Sequence, residues 1–197
     1  NAGTMSVLNG TTPLFSFIIA TLWLKLNTNL VQLVGILIGI IGLVIFVGYE
    51  SLEFSLFALM LCLGASFLYA FSSNFIFKTQ SIDATYLAAM TLLFATFLVF
   101  PFTFLETGLH LNHSNEVLLS VFLLGFACTG LAYMGYVVLI KRAGPVRAST
   151  VVLIVPISGM LWANLFLNEV ITLTMLLGCL LIITGVGLIN FFQKESN

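Results

Sequence analysis

The chain has 197 residues, of which 7% are charged and 60% are hydrophobic, and its mean hydropathy is +1.19. Ordinary soluble domains carry roughly 25% charged residues, so the chain lacks the polar surface that a cytosolic enzyme or a disordered protein requires. A net charge of −1 with six Lys and Arg residues offers no basic footprint for nucleic acid. What remains is an all-α, polytopic membrane protein whose surroundings are the lipid bilayer, since one crossing takes about 20 apolar residues.

Seven apolar runs of that length follow one another, at about 5–24, 29–48, 54–77, 84–105, 117–140, 146–167 and 172–192. None alternates apolar and polar residues as barrel strands do. The first run carries Asn9, Thr12, Pro13 and Ser16. The second has almost no polar stripe but places Gly35, Gly39 and Gly42 along it. The third carries Ser66, Tyr69, Ser73 and Asn74, and the fifth Thr129, Tyr133 and Tyr136. The sixth holds Pro156, Ser158, Trp162 and Asn164, and the seventh Gly178, Gly185 and Gly187.

Polar side chains are costly in hydrocarbon and tend to face the bundle interior or a wet path. A solute pathway lined by the first, third, fifth and sixth spans is therefore expected. Its candidate residues are Asn9, Pro13, Tyr69, Ser73, Asn74, Tyr133, Tyr136, Pro156, Ser158 and Trp162. The plainer use of such residues is interhelical hydrogen bonding, worth about 0.6 kcal/mol on average. The tyrosines and the tryptophan are the stronger candidates because they are large and carry a donor. Pro13 and Pro156 are expected at mid-helix, where each would free a carbonyl and kink the helix. The glycine-rich second and seventh spans read as scaffold. Their glycines would serve close packing inside one bundle or, alternatively, a homodimer through residues 29–48 and 172–192.

Several chemistries find no support. Cys62, Cys128 and Cys179 lie in apolar runs and read as small buried hydrophobes, with no zinc spacing. His110 and His113 share a short loop and read as solvated, and Asn112-His113-Ser114 matches a glycosylation sequon. No Ser/His pair, Asp pair or HExxH lies within a span, so no catalytic residues, metal or cofactor are expected. No Asp, Glu, Lys, Arg or His occupies the middle of a span, so the segment supplies no proton relay.

Lys25, Lys78, Lys141, Arg142, Arg147 and Lys194 all fall on one face of a seven-span arrangement, and Glu50, Glu53, Glu106, Glu116 and Glu169 on the other. The positive face is expected to be cytoplasmic, which puts the tail at 193–197 inside and residue 1 outside. Glu169 precedes the seventh span, where a negative charge suits a helix N-terminus. An external start calls for a removed signal or an odd number of preceding helices.

Shifting the chain by 143 residues aligns 1–47 with 144–190 without a gap and with 11 identities in 47. Pro13 meets Pro156, Gly35 meets Gly178 and Gly42 meets Gly185. The first two spans thus recur five spans later. Five is odd, so the copies must point in opposite directions. The arithmetic implies ten helices in two inverted five-helix repeats, a plan found in secondary transporters. Residues 1–49 would be the last two helices of one repeat, with three helices preceding them, and 54–192 the complete second repeat.

The segments Val155-Pro156-Ile157, Leu167-Asn168-Glu169 and Gly178 through Gly185-Val186 resemble the end of an EamA domain, of the drug/metabolite transporter superfamily. Leu26 stands where the second copy has Glu169. The resemblance implies export or exchange of small metabolites, often amino acids, across the bacterial inner membrane by alternating access. A seven-helix receptor also has seven spans, but it gives no reason for an inverted repeat, and the last span has no Lys for a retinal Schiff base. A structural membrane protein without transport activity is the other alternative.

Overall fold

The structure is a computed structural model that describes residues 8–47, 56–104, 114–167 and 170–191. In chain order its helices are α1 (Thr12–Leu22), α2 (Leu30–Val47), α3 (Leu56–Lys78), α4 (Ala84–Val99), α5 (Asn115–Leu123), α6 (Ala132–Ala143), α7 (Pro145–Ser149), α8 (Val151–Leu167) and α9 (Leu173–Phe191). A 3-10 turn, Phe100–Phe104, extends α4, and a π-helical stretch, Leu124–Leu131, joins α5 to α6. The chain divides into two compact units, one of residues up to Lys78 together with those from Ala143 onward, the other Thr79–Arg142.

Six stretches are long and apolar enough to cross a membrane. The first expected span is the exception. α1 has 11 residues, roughly 16 Å at about 1.5 Å per residue, against a hydrocarbon core of about 30 Å. Leu8 and Asn9 are helical before it, and Gly10 and Thr11 form a turn. Glu50, Glu53, Glu106, His110, Asn112, His113, Glu169 and Lys194 lie outside the described residues.

In the first unit the tightest seam joins α2 to α9. The buried residues of α2 are Gln32, Gly35, Ile36, Gly39, Gly42 and Leu43, a stripe at helical spacing. Those of α9 are Gly178, Cys179, Ile182, Gly185 and Ile189. A Cβ added at Gly35 would sit 2.7 Å from the Gly185 carbonyl oxygen, and one at Gly42 would sit 2.9 Å from that of Gly178. One at Gly178 would lie 2.6 Å from the Phe46 Cα. Contacts that descend on α9 as they ascend on α2 make the pair antiparallel. They are also reciprocal under the repeat, since Gly35 corresponds to Gly178 and Gly42 to Gly185. The glycine faces are thus spent on each other within one chain. Any homodimer through these helices would have to use their outer faces, where Leu37, Ile41, Leu180 and Ile183 are exposed.

Leu43, Leu153 and Ile182 form one core cluster beside this seam, and Ala20, Ile36, Val146 and Ile189 another. They attach α8, α7 and α1 to the α2–α9 pair. Arg147 on α7 donates through Nη2 to the Asn190 carbonyl at 2.8 Å, placing a cation at the C-terminal end of α9, where the helix dipole favours it. α1 ends in a tight reversal. Lys25 adopts φ 52°, and the Leu26 N–H returns to the Ala20 carbonyl at 3.0 Å. That left-handed conformation costs an L-residue about 1–2 kcal/mol. Lys25→Gly is therefore expected to stabilise the chain by about 1 kcal/mol, read as a higher thermal unfolding midpoint in detergent.

In the second unit, Asp83 caps α4, its side chain accepting from Thr85 N–H at 2.8 Å and Tyr86 N–H at 3.1 Å. The Tyr86 bond above all, with a smaller contribution from the Lys141 charge, holds its carboxyl below the usual range. The Lys141 ammonium donates to the carbonyls of Thr79 (2.8 Å) and Ile82, and Gln80 Nε2 donates to the Lys141 carbonyl at 3.3 Å. Lys141 thus clamps the turn before α4. Pro101 lies in the 3-10 turn after α4, where a residue without an N–H cannot continue the α-helical pattern. Cys179 is buried and Cys62 half-buried, but Cys128 is exposed, contrary to the expectation for all three. Cys128 lies in the π stretch, none of whose residues is buried.

Candidate functional site

The site lies in the first unit, where α1, α3 and α8 meet. α1 starts after the Gly10-Thr11 turn, with Pro13 in its first turn. Pro13 is therefore not at mid-helix as expected. A residue without an N–H fits the first turn, where that donor would have no intrahelical partner. The Asn9 carbonyl, four residues back, accepts the Thr12 hydroxyl at 2.7 Å. The Leu8 carbonyl accepts the Thr11 N–H at 3.1 Å and its hydroxyl at 2.6 Å. Pro156 does lie inside its helix, α8. It has no amide hydrogen to give the carbonyl of Val152, four residues earlier.

α3 brings Ser66 and Tyr69 against the α1 break. Ser66 Oγ reaches the Leu8 carbonyl at 3.3 Å and Asn9 Oδ1 at 3.4 Å. A cavity of 180 Å³ opens here, lined by Asn9, Thr12, Ala65, Ser66, Tyr69 and Val152. Farther along the α1–α3 seam, Asn74 is fully buried. Its Nδ2 donates to the Ala70 carbonyl at 2.8 Å and to Ser16 Oγ at 3.1 Å. Two carbonyl acceptors, Ala70 and Ser16, fix which end of the amide is nitrogen. Its Oδ1 has no hydrogen-bond partner among the described residues. Ser73 is buried, and its hydroxyl donates to the Tyr69 carbonyl at 2.9 Å. Toward the charged end of the seam, the Trp23 ring stacks on Phe71 at 5.1 Å, and Lys78 Nζ sits 4.9 Å over the same ring. That is an interfacial anchor of amphipathic side chains.

Of the expected pathway residues, Asn9, Tyr69, Ser73, Asn74 and Pro13 fall along this one seam. Ser158 and Trp162 do not. Both are exposed, with Ser158 Oγ bonded to the Val155 carbonyl at 2.8 Å and Trp162 stacked on Phe166 at 5.4 Å. Leu153 and Ile157 supply the inward face of α8, and at about 100° per residue Ser158 and Trp162 point away from it. Tyr133 and Tyr136 belong to the second unit, half-buried with ring centroids 6.5 Å apart. They follow the π stretch, in which Thr129 Oγ1 donates to the Leu124 carbonyl at 3.0 Å. Such bulges often occur at functional sites. Val152 was not expected. Its apolar side chain carries no signal, though a proline four residues later points at its carbonyl.

The model of the EamA-like transporter family matches residues 56–191. The chain belongs to the EamA-like transporter family. It is 22% identical over 199 residues to an "Uncharacterized transporter YvbV" of Bacillus subtilis (strain 168), covering 99% of this chain and 65% of that protein. It is 26% identical over 196 residues to a second B. subtilis protein, "Uncharacterized transporter YoaV", covering 97% of this chain and 67% of that protein. An "Uncharacterized transporter" of Archaeoglobus fulgidus is 23% identical over 191 residues, covering 96% of this chain and 68% of its own length. The chain thus spans about two thirds of the length of these relatives. Membership agrees with the fold class read from composition, a multi-pass helical membrane protein, and with a transporter rather than an enzyme.

Proposed function

We propose that the chain is the larger part of a secondary carrier that moves small metabolites, such as amino acids, drugs or related solutes, across the inner membrane by alternating access. The observation that carries this reading is the 180 Å³ cavity lined by Asn9, Thr12, Ser66 and Tyr69 beside the Gly10-Thr11 turn before α1 and the helix that holds Pro156. A cavity of this size suits a small solute. Polar linings beside broken helices are where such carriers bind. The antiparallel α2–α9 seam, reciprocal under the repeat, supports ten helices in two inverted repeats. Residues 1–49 then close the first repeat and 54–192 form the second. Coverage of 65–68% of the relatives' lengths fits seven helices of ten. The grouping of Lys25, Lys78, Lys141, Arg142 and Arg147 supports a cytoplasmic C-terminus.

Counterflow of labelled amino acids and amines into proteoliposomes of the full-length carrier tests the function. Thr12→Val combined with Ser66→Ala is expected to cut exchange at least about tenfold, as loss of one or two polar contacts to a bound solute would. Exchange unchanged by the pair would remove the cavity from the pathway. Single cysteines at Ser51, Asn112 and Ser196, with Cys62, Cys128 and Cys179 replaced by Ala, test the orientation. External reagent should label the first two and not the third.

A further inference from the structure

The α1–α3 seam is unbalanced between donors and acceptors. A hydroxyl has one hydrogen to give and two lone pairs. The hydrogen of Thr12 is given to the Asn9 carbonyl and that of Ser66 to Leu8 or Asn9. Each of these oxygens therefore meets the cavity with lone pairs only. Pro156 leaves the Val152 carbonyl without its helical donor, and Val152 lines the same cavity. Asn74, on the same seam, is 0% exposed, and its Oδ1 has no partner among the described residues. A buried acceptor left unmade costs about 1–3 kcal/mol. Among the described lining residues Asn9 alone carries side-chain N–H groups, and Tyr69 adds one hydroxyl. Among the described residues no Lys, Arg or His lines the cavity, so none of them offsets a carboxylate or a phosphate.

We propose that this acceptor-rich seam binds the N–H donors of a small alkylammonium group and discriminates against carboxylates. The inference rests on the reading of the cavity as a solute site. Backbone and hydroxyl oxygens replace part of the ammonium hydration shell, and the half-exposed Tyr69 ring offers a π-face to the cation. Asn74 Oδ1 is the next acceptor along the track, five residues and about 7.5 Å from Tyr69 along α3. An amino acid would enter this half of the site by its ammonium end.

Thermal unfolding of the full-length carrier in detergent, titrated with ethylammonium, tetramethylammonium or propionate at matched ionic strength, tests this. Ethylammonium is expected to raise the midpoint in a saturable way, tetramethylammonium, which keeps the charge and the π contact but has no N–H, to raise it far less, and propionate not to raise it. Asn9→Asp should tighten ethylammonium about tenfold by turning a neutral acceptor into a charged one. Asn74→Leu should weaken it, and its unliganded midpoint shows whether it still folds. Equal shifts with tetramethylammonium would overturn the hydrogen-bonding argument. A shift with propionate alone would overturn the proposed selectivity while leaving the cavity a solute site. Unchanged counterflow in the Thr12→Val, Ser66→Ala pair would instead overturn the site itself.

Discussion

Gly185→Ala is expected to destabilise the protein by about 3 kcal/mol, while Gly187→Ala, two residues along the same helix, leaves it unchanged or slightly more stable. A Cβ at Gly185 would overlap the Gly35 carbonyl oxygen and lie 2.7 Å from the Gly39 nitrogen and 3.0 Å from its Cα. These are all backbone atoms, so no rotamer change can make room, and the two helix axes must separate. Overpacking typically costs about 1–3 kcal/mol, and an obstruction made wholly of backbone belongs at the upper end. At Gly187 a Cβ meets nothing within 4 Å, and alanine gains helix propensity over glycine of about 1 kcal/mol. Thermal unfolding in detergent reads the difference, an expected fall of about 6–12 °C for the first variant. Equal midpoints for the two variants would show that α2 and α9 do not approach as closely as described.

Pro156→Ala and Pro13→Ala are expected to act with opposite signs, although the two prolines are equivalent in the repeat. Pro156 lies inside α8, and alanine there restores a donor to the Val152 carbonyl. An interior proline costs about 3 kcal/mol relative to alanine. Some of that gain is lost with the contacts of a half-buried ring, so a rise of about 1–2 kcal/mol is expected. Val152 lines the cavity, so if its carbonyl is one of the solute's acceptors, the same substitution should cut solute counterflow about tenfold or more. Pro13 sits in the first turn of α1 and is fully buried. Alanine there gains no needed hydrogen bond and leaves a void, so stability should fall by about 1 kcal/mol. Unfolding midpoints together with proteoliposome exchange separate these effects. A stabilised Pro156→Ala variant with full exchange would mean that the Val152 carbonyl has no part in transport.

The signals that were legible are local ones. The apolar runs of α2, α3 and α9 declare membrane length without a partner, whereas the Asp83 cap on α4, equally local, was passed over. The polar stripe of α3 was legible as a stripe, because Ser66, Tyr69 and Ser73 recur at helical spacing. That Ser66 faces the broken start of α1, while Ser158 and Trp162 of α8 face outward, depends on which side of each helix its neighbour occupies. Periodicity is silent on that when both faces are apolar enough for lipid. The break at Gly10-Thr11 was hidden for a related reason. Proline marks the interior of α8 and the start of α1 equally well, and only the hydrogen bonds on either side tell them apart.

The sequence alone determined that this is a polytopic helical membrane protein of the EamA type. Lipid-facing residues must be apolar over about 20 positions, and the repeat and the short motifs are written in residue order. Only the tertiary structure decided which glycines meet. Close backbone approach of Gly35 to Gly185 and of Gly42 to Gly178 is a property of two helices and not of either one. It also decided that Thr12 and Ser66 spend their hydrogens on Leu8 and Asn9, just before α1. A side chain's type states what it can donate, and the fold around it settles what is left to give.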